Sequence, residues 1–254
     1  MKKAAAVGFV VLFLGLGVFH SRLSSDNQVR DPEFVYARVR YHMTPIAIYV
    51  HEIPWHHDYP FSDSQFPSIV AEVSNIRTSS MAYQIVDIDS PDLFKYPFAY
   101  LCEPGYLQLN AKDVVNLREY LDRGGFLLVD DLRTAAYSPQ TGFGPEDDIS
   151  HFQAEMRKVY PDRTFVRLDL SDPIFNTFYK IKSLDMTAPY IFPGQRAVQF
   201  LGLRDPHGNL QMVIDDNNDI SEDWEWLNEG RKSLHDAANS LEFGVNYLMY
   251  SMTH

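Results

Sequence analysis

The chain has 254 residues, 45% of them apolar and 22% charged, and its 34 acidic against 22 basic side chains leave a formal net charge of −12. Seventeen Phe, fifteen Tyr and three Trp supply enough apolar area for a packed core, which excludes disorder as the main state. The acidic balance excludes a nucleic-acid partner, since such binding relies on basic side chains that release phosphate counterions, and a single cysteine excludes an internal disulfide and a thiolate zinc centre.

Lys2 and Lys3 precede sixteen uncharged, mostly apolar residues, 4–19, and a polar stretch follows at 20–27. Residues 1–25 are therefore predicted to be a signal peptide or signal anchor, an apolar helix at the N-terminus. Sixteen residues fall between the apolar segment of a cleavable signal and the roughly 20 that span a bilayer. No A-x-A tripeptide follows the run and no cysteine is there to be lipidated, so the reading leans to an uncleaved anchor with its basic end in the cytoplasm. The rest of the chain would then be exported to the cell envelope, anchored to the inner membrane or periplasmic.

From residue 31 onward strand-like and helix-like segments alternate, the signature of a mostly parallel sheet with helices on its faces. Residues 34–41 alternate as a strand, and the apolar run 46–50 extends or flanks it. A Pro- and His-rich loop, 52–61, precedes a helix capped by Asp63 or Ser64 that presents Phe66, Ile69, Val70, Val73 and Ile76 on one face. Residues 82–88 form a short strand that ends in the acidic turn 87–92. A buried-type strand at 98–102 stops at Glu103-Pro104-Gly105. The helix at 111–123 aligns Val114, Leu117 and Leu121 and ends at Gly124-Gly125. Residues 126–129 are the clearest central strand and run directly into Asp130-Asp131. A surface loop covers 134–148, Ser150 caps a helix to Tyr160, residues 165–170 form a strand and 173–179 a short helix. Residues 197–203 and 210–215 make a hairpin. The final helix, 233–252, spaces Leu234, Ala238, Leu241, Val245 and Leu248 at three and four residues. One doubly wound domain, 31–254, accounts for everything after the leader.

Several of these stretches together resemble the bacterial family DUF4159. The likeness rests on Phe34, Ala37 and Arg38, on Trp55-His56-His57-Asp58-Tyr59-Pro60, and on Leu93, Phe94, Pro97, Phe98 and Tyr100. It continues through Leu117-Arg118, Tyr120-Leu121, Gly124-Gly125-Phe126-Leu127 and Asp130-Asp131, then Asp172-Pro173-Ile174-Phe175 and Gly244-Val245-Asn246-Tyr247. The resemblance implies a flavodoxin-like, doubly wound α/β fold similar to class I glutamine amidotransferases, here with an added β-hairpin. It also implies gene company with MoxR-type ATPases and von Willebrand A-domain membrane proteins, but no reaction. One departure is Asp172, where the family commonly carries a His. In amidotransferases of this fold the strand corresponding to 126–129 ends in a sharp turn that exposes a cysteine nucleophile, and this chain has Asp130-Asp131 there.

In an open parallel sheet, ligands bind beyond the carboxyl ends of the strands, and four places qualify. His56-His57-Asp58, pinned by Trp55, offers imidazole and carboxylate to Zn, Fe or Mn; otherwise the histidines face solvent or cap neighbours. Asp130-Asp131 is able to bind a metal, accept a proton, or cap the next segment. Cys102-Glu103 has no adjacent base and reads as a buried structural thiol, which disfavours amidase chemistry. The acidic run Asp215, Asp216, Asp219, Glu222 and Asp223, with Trp224 and Trp226, suits Ca²⁺, Mg²⁺ or a sugar face, or is a solvated acidic turn at a helix start; it is not an EF-hand. Gly142-Phe143-Gly144 lacks the rest of either phosphate-binding fingerprint. The ligand-binding candidates are Trp55, His56, His57, Asp58, Asp130, Asp131, Asp216 and Asp219, with His57, Asp58 and Asp131 as metal candidates. Catalytic residues and cofactors are left unassigned, and the acid groups are expected to rim one end of the sheet. The expectation is an exported, membrane-tethered, ligand- or partner-binding domain that resembles amidotransferases but lacks the nucleophile. The alternative is a metal-dependent hydrolase of cell-envelope saccharide or peptide, and a purely structural domain is the third reading.

Overall fold

The computed structural model describes residues 31–49, 52–133, 147–187, 197–227 and 229–254. The leader at 1–25, most of the loop at 134–148 and the Gly142-Phe143-Gly144 turn lie outside the described residues. Among the described residues no helix is long and apolar enough to cross a membrane. Pro32–His254 makes one compact unit.

Seven strands, β1 (Tyr36–Arg40), β2 (Tyr83–Asp87), β3 (Phe98–Cys102), β4 (Phe126–Asp130), β5 (Val166–Arg167), β6 (Gln199–Arg204) and β7 (Leu210–Asp216), form one sheet in the order β2-β1-β3-β4-β7-β6-β5. The first five of that order pair in parallel; β6 runs antiparallel to β7, as the hairpin pattern predicts, and β5 runs antiparallel to β6. Among the described residues five α-helices accompany them: α1 (Phe61–Val73), α2 (Ala111–Asp122), α3 (Asp148–Val159), α4 (Ile220–Glu225) and α5 (Leu234–Thr253).

Both faces of the sheet are buried, and the period-two alternation of the strands divides their side chains between two cores. Tyr36, Phe98, Tyr100, Phe126 and Val213 point into one, covered by Phe66 and Val70 of α1, Trp224 of α4 and Phe243, Tyr247 and Leu248 of α5. Ala37, Val39, Leu101, Leu127, Val129 and Met212 point into the other, against Leu117 and Leu121 of α2 and Phe152 and Met156 of α3. The first core is strongly aromatic, with the Trp224 and Phe66 rings stacked at 4.3 Å. Gly244 lets α5 approach closely, because a Cβ there would come within 2.4 Å of the Trp224 ring.

Local chemistry explains several boundaries. Asn110 and Asp113 form a capping box that starts α2. Neither Asp63 nor Ser64 caps α1: Pro60 occupies the cap position, and Asp63, inside the first turn, is drawn into the core by Arg38. Asp147 rather than Ser150 precedes α3. Pro45–Tyr49 is a 3₁₀ turn and not a strand extension. The strand expected at 165–170 contracts to the two residues of β5. The helix expected at 173–179 is only a 3₁₀ turn, Pro173–Asn176, because the N–H groups of Phe178 and Tyr179 donate to Asn246 Oδ1 on α5 instead of continuing the turn. Asp172, the departure from the family pattern, pairs with Arg204 on β6.

Candidate functional site

The order of the parallel strands reverses direction between β1 and β3: β1 leads to β2 on one side, and β3 then continues on the other. The loops that follow β1 and β3 therefore diverge and leave a crevice at the carboxyl edge, where an open α/β sheet receives ligands. Four loops meet around it, after β1, β3, β4 and β7.

The first loop is fixed by Arg38. It is a charged residue at an inward position of β1, fully buried together with Asp63. Its guanidinium donates to both oxygens of Asp63, at 2.6–3.0 Å, and to Ser62 Oγ at 3.0 Å, while Nη1 reaches the carbonyls of Trp55 (3.3 Å) and His57 (2.9 Å). It also lies over the Tyr100 ring. One buried cation thus neutralises one carboxylate and pins the backbone of the Trp55–His57 segment over the strand ends.

That segment delivers His57 to Asp131. Nδ1 of His57 is 2.9 Å from Asp131 Oδ2, 3.8 Å from Asp58 Oδ1 and 3.9 Å from Glu103 Oε1, and the imidazole also contacts the Cys102 thiol. Four non-glycine residues around the site adopt left-handed backbone: Asp58 (φ 61°), Glu103 (φ 44°), Asp131 (φ 52°) and Asn217 (φ 58°). Asp and Asn tolerate this region through local hydrogen bonding, whereas for Glu103 it is unusual. Both Glu103 and Asp131 directly follow a central strand, so the strained strand-end turns of this sheet carry carboxylates.

Asp130 faces the other way. Its carboxylate accepts from the backbone N–H groups of Ile220 (3.2 Å) and Ser221 (3.0 Å) at the start of α4 and lies 3.3 Å from Tyr100 OH. Tyr100 also donates to Ser221 Oγ at 2.6 Å, and Ser221 Oγ donates to Asp58 Oδ2 at 2.7 Å, with Asp219 Oδ1 at 3.2 Å. Asp219 is the N-cap of α4 and accepts from the Glu222 N–H. Its second oxygen, Oδ2, is buried with no hydrogen-bond partner, as is one oxygen each of Asp215 and Glu222.

Burial of so many carboxyl groups sets their protonation. Burial, reinforced by the charge of Asp131, pushes Asp130 up to about 7 against the backbone N–H bonds that favour its charged form. Burial and Asp131 likewise lift Glu103 to about 8 in spite of Arg133. Burial raises Asp219 and Asp215 well above the carboxylate range, and together with Asp58 it lifts Glu225 to about 7. Asp131 goes the other way: burial opposes its charge, but Arg133 and the His57 hydrogen bond outweigh burial and hold it below the usual range. For His57 burial disfavours the cation, yet Asp131, Cys102 and Asp58 together drive its pKa upward, so the imidazole is protonated at neutral pH. Burial pushes the Cys102 thiol up to about 12.

Of the sequence candidates, His57, Asp58, Asp131 and Asp219 come together, and Asp130 lies behind them as the cap of α4. His56 does not join: its ring packs between Trp55 and Tyr59. Trp55 instead walls a neighbouring cavity of about 330 Å³ at the ends of β1 and β2, lined also by Arg40, Tyr41, His42, Asp87 and Asp89. Asp216 is buried at the end of β7, in register with Gln199. The solvated acidic turn is corrected: residues 215–219 are buried, and Trp224 is sealed in the core where no sugar reaches it. Sequence reasoning assigned no role to Tyr100, Arg133 or Glu225, and none of these residue types at those spacings carries a signal. Arg38 did carry one, as a charge at an inward strand position.

A family model described as a domain of unknown function (DUF4159) matches residues 36–252. The chain belongs to the DUF4159 family. No curated protein matches it. The matched span of this DUF4159 chain contains all four strand-end loops of the site.

Proposed function

We propose that this is an exported, membrane-tethered domain of flavodoxin-like, class I glutamine amidotransferase-like fold that binds a ligand or partner protein at the carboxyl edge of its sheet and lacks the amidotransferase nucleophile. The order β2-β1-β3-β4-β7 of the parallel strands supports the fold, because it is the flavodoxin order with β6 and β5 added beyond it. The leader at 1–25 supports export and tethering. The observation that carries the loss of nucleophilic chemistry is the placement of Cys102: the thiol is fully buried with its pKa pushed up to about 12, while the left-handed turns at the strand ends hold Glu103 and Asp131. A MoxR-type ATPase and von Willebrand A-domain membrane proteins are the proposed partners on family context.

The test is ammonia release from glutamine and from small amides by the purified full chain. No release above background is expected, and release that disappears in Cys102→Ser overturns the proposal. The second reading, a metal-dependent hydrolase of envelope saccharide or peptide, is favoured by the meeting of His57 with Asp58, Asp131 and Asp219. It requires that hydrolysis of such material be abolished by a chelator and by His57→Ala.

A further inference from the structure

We infer that His57, Asp58 and Asp219 form a binding site for one divalent transition-metal ion, with Asp131 orienting the imidazole. This deepens the ligand-binding reading by naming the ligand class of that same site.

The ligand atoms of these three side chains all lie within 4.8 Å of one another. Metal bonds of about 2.1 Å place tetrahedral ligand atoms roughly 3.3 Å apart, so small side-chain rotations close the set around an ion. The independent observation is Asp219 Oδ2. It belongs to a residue only 2% exposed and has no hydrogen-bond partner, and a buried carboxylate oxygen without a donor is expensive unless something cationic meets it.

Charge counting identifies what is missing. Asp131 is neutralised by His57 and Arg133, and Arg133 also reaches Glu103. Asp63 is neutralised by Arg38. Asp58 and Asp219 share the Ser221 hydroxyl, 2.7 Å from Asp58 Oδ2 and 3.2 Å from Asp219 Oδ1; Asp219 Oδ1 also accepts the Glu222 N–H and Asp58 meets the Glu225 carboxyl, and none of these partners is a cation. The only cation described near Asp58 is the His57 imidazolium at 3.8 Å, already engaged by Asp131. A 2+ ion would meet both carboxylates, displacing the protons held by this pair and the one on the imidazole nitrogen it takes.

The donor set narrows the ion. Ca²⁺ and Mg²⁺ prefer oxygen alone, whereas one imidazole with carboxylates suits Mn²⁺ or Zn²⁺. With the ion on Nε2, the Nδ1 hydrogen bond to Asp131 stays in place as the outer-shell contact that fixes a ligating imidazole. His57, Cys102 and Asp131 also come within 4.8 Å of one another, but that set draws on a fully buried, protonated thiol and on the carboxylate that already has its cations.

The experiment uses the full chain stripped with a chelator and titrated with Mn²⁺ and Zn²⁺ by calorimetry. Expected are one saturable equivalent per chain, a rise in melting temperature, binding weakened at least tenfold in Asp219→Asn and Asp58→Asn, and binding unchanged in Cys102→Ser. No saturable binding, undiminished binding in both folded Asn variants, or loss in Cys102→Ser overturns the site. If the Asn variants fail to fold, the Mn²⁺-loaded wild type decides by pulsed electron paramagnetic resonance. A coupled histidine nitrogen supports the site, and its absence overturns it. Failure of metal binding leaves the ammonia-release test of the ligand-binding reading untouched, so the two fail separately.

Discussion

Two buried charged clusters lie side by side beneath the same loop, and they are built on opposite rules. Around Arg38 every charge has its partner: one guanidinium, one carboxylate, a serine hydroxyl and two carbonyls close on themselves with no access to solvent. Around His57 acid outnumbers base, one oxygen of Asp219 is unpaired, and left-handed residues hold the strand ends in place. The first arrangement is what a fold needs, since a buried ion pair is tolerated when its hydrogen bonds are complete. The second accepts desolvation without compensation, a stability cost that natural proteins concentrate at functional sites. The loop joins the two, because Arg38 binds the carbonyl of the same residue whose imidazole meets Asp131.

The contrast breaks most visibly at Asp63. Asp63→Ala leaves a guanidinium buried without its counter-charge and is expected to cost roughly 3–5 kcal/mol, read as a lower urea midpoint. A loss below about 1 kcal/mol would mean that the cluster is not the clamp described above.

Acidity is the next lever. Asp130 and Glu225 are lifted to about 7 and Glu103 to about 8, so the folded chain keeps protons that the unfolded chain has released. The stability these groups contribute is full below the ordinary carboxyl range and is lost as pH rises through about 7–8, by at most about 1.4 kcal/mol per pH unit for each retained proton. His57, also raised, acts in the same direction. Asp131, lowered, loses its contribution only as pH falls below the ordinary range. The metal-free chain is therefore expected to have a higher urea midpoint at pH 5.5 than at pH 8, with a shallower dependence in Asp130→Asn; a midpoint that rises with pH contradicts the charge surplus.

Asp219→Asn sharpens the comparison from the other side. Asparagine keeps the cap of α4 and mimics the neutral acid that burial favours at Asp219, without the cost of taking up a proton on folding, so the metal-free variant is expected to gain on the order of 1 kcal/mol near pH 8, opposite in sign to Asp63→Ala. A loss as large as that of Asp63→Ala would erase the distinction between the clusters. The smallest effect concerns Cys102. Its thiol is expected to resist iodoacetamide in the native chain at pH 8 and to react once unfolded, as mass spectrometry would show, and rapid native alkylation would place it outside the core.

Much of the scaffold was legible because it is written in local periodicity. The strand at 126–129 running into two aspartates, the helix at 111–123 closed by Gly124-Gly125 and the hairpin around Asp205 each follow from residue types at short spacing. The errors arose where tertiary contacts overrode local preference. Asp63 looks like a helix cap and is one within peptide logic, yet a buried arginine 25 residues earlier claims it. Residues 215–223 look like a solvated acidic turn, yet α4 and the strand ends enclose them. His56 and His57 are equivalent as letters, and only the loop path pinned by Arg38 turns one toward Asp131 and the other between Trp55 and Tyr59.

By itself the sequence determined the alternation of strands and helices, the burial of both sheet faces and the location of acid after strands, because these depend on apolar period and turn chemistry within a dozen residues. Only the tertiary structure decided that residues 57, 58, 131 and 219 share one site and which of their charges lack partners. Parallel crossovers bring distant strand ends to one edge, and the protonation of a carboxyl group there is set by what surrounds it rather than by its neighbours in the chain.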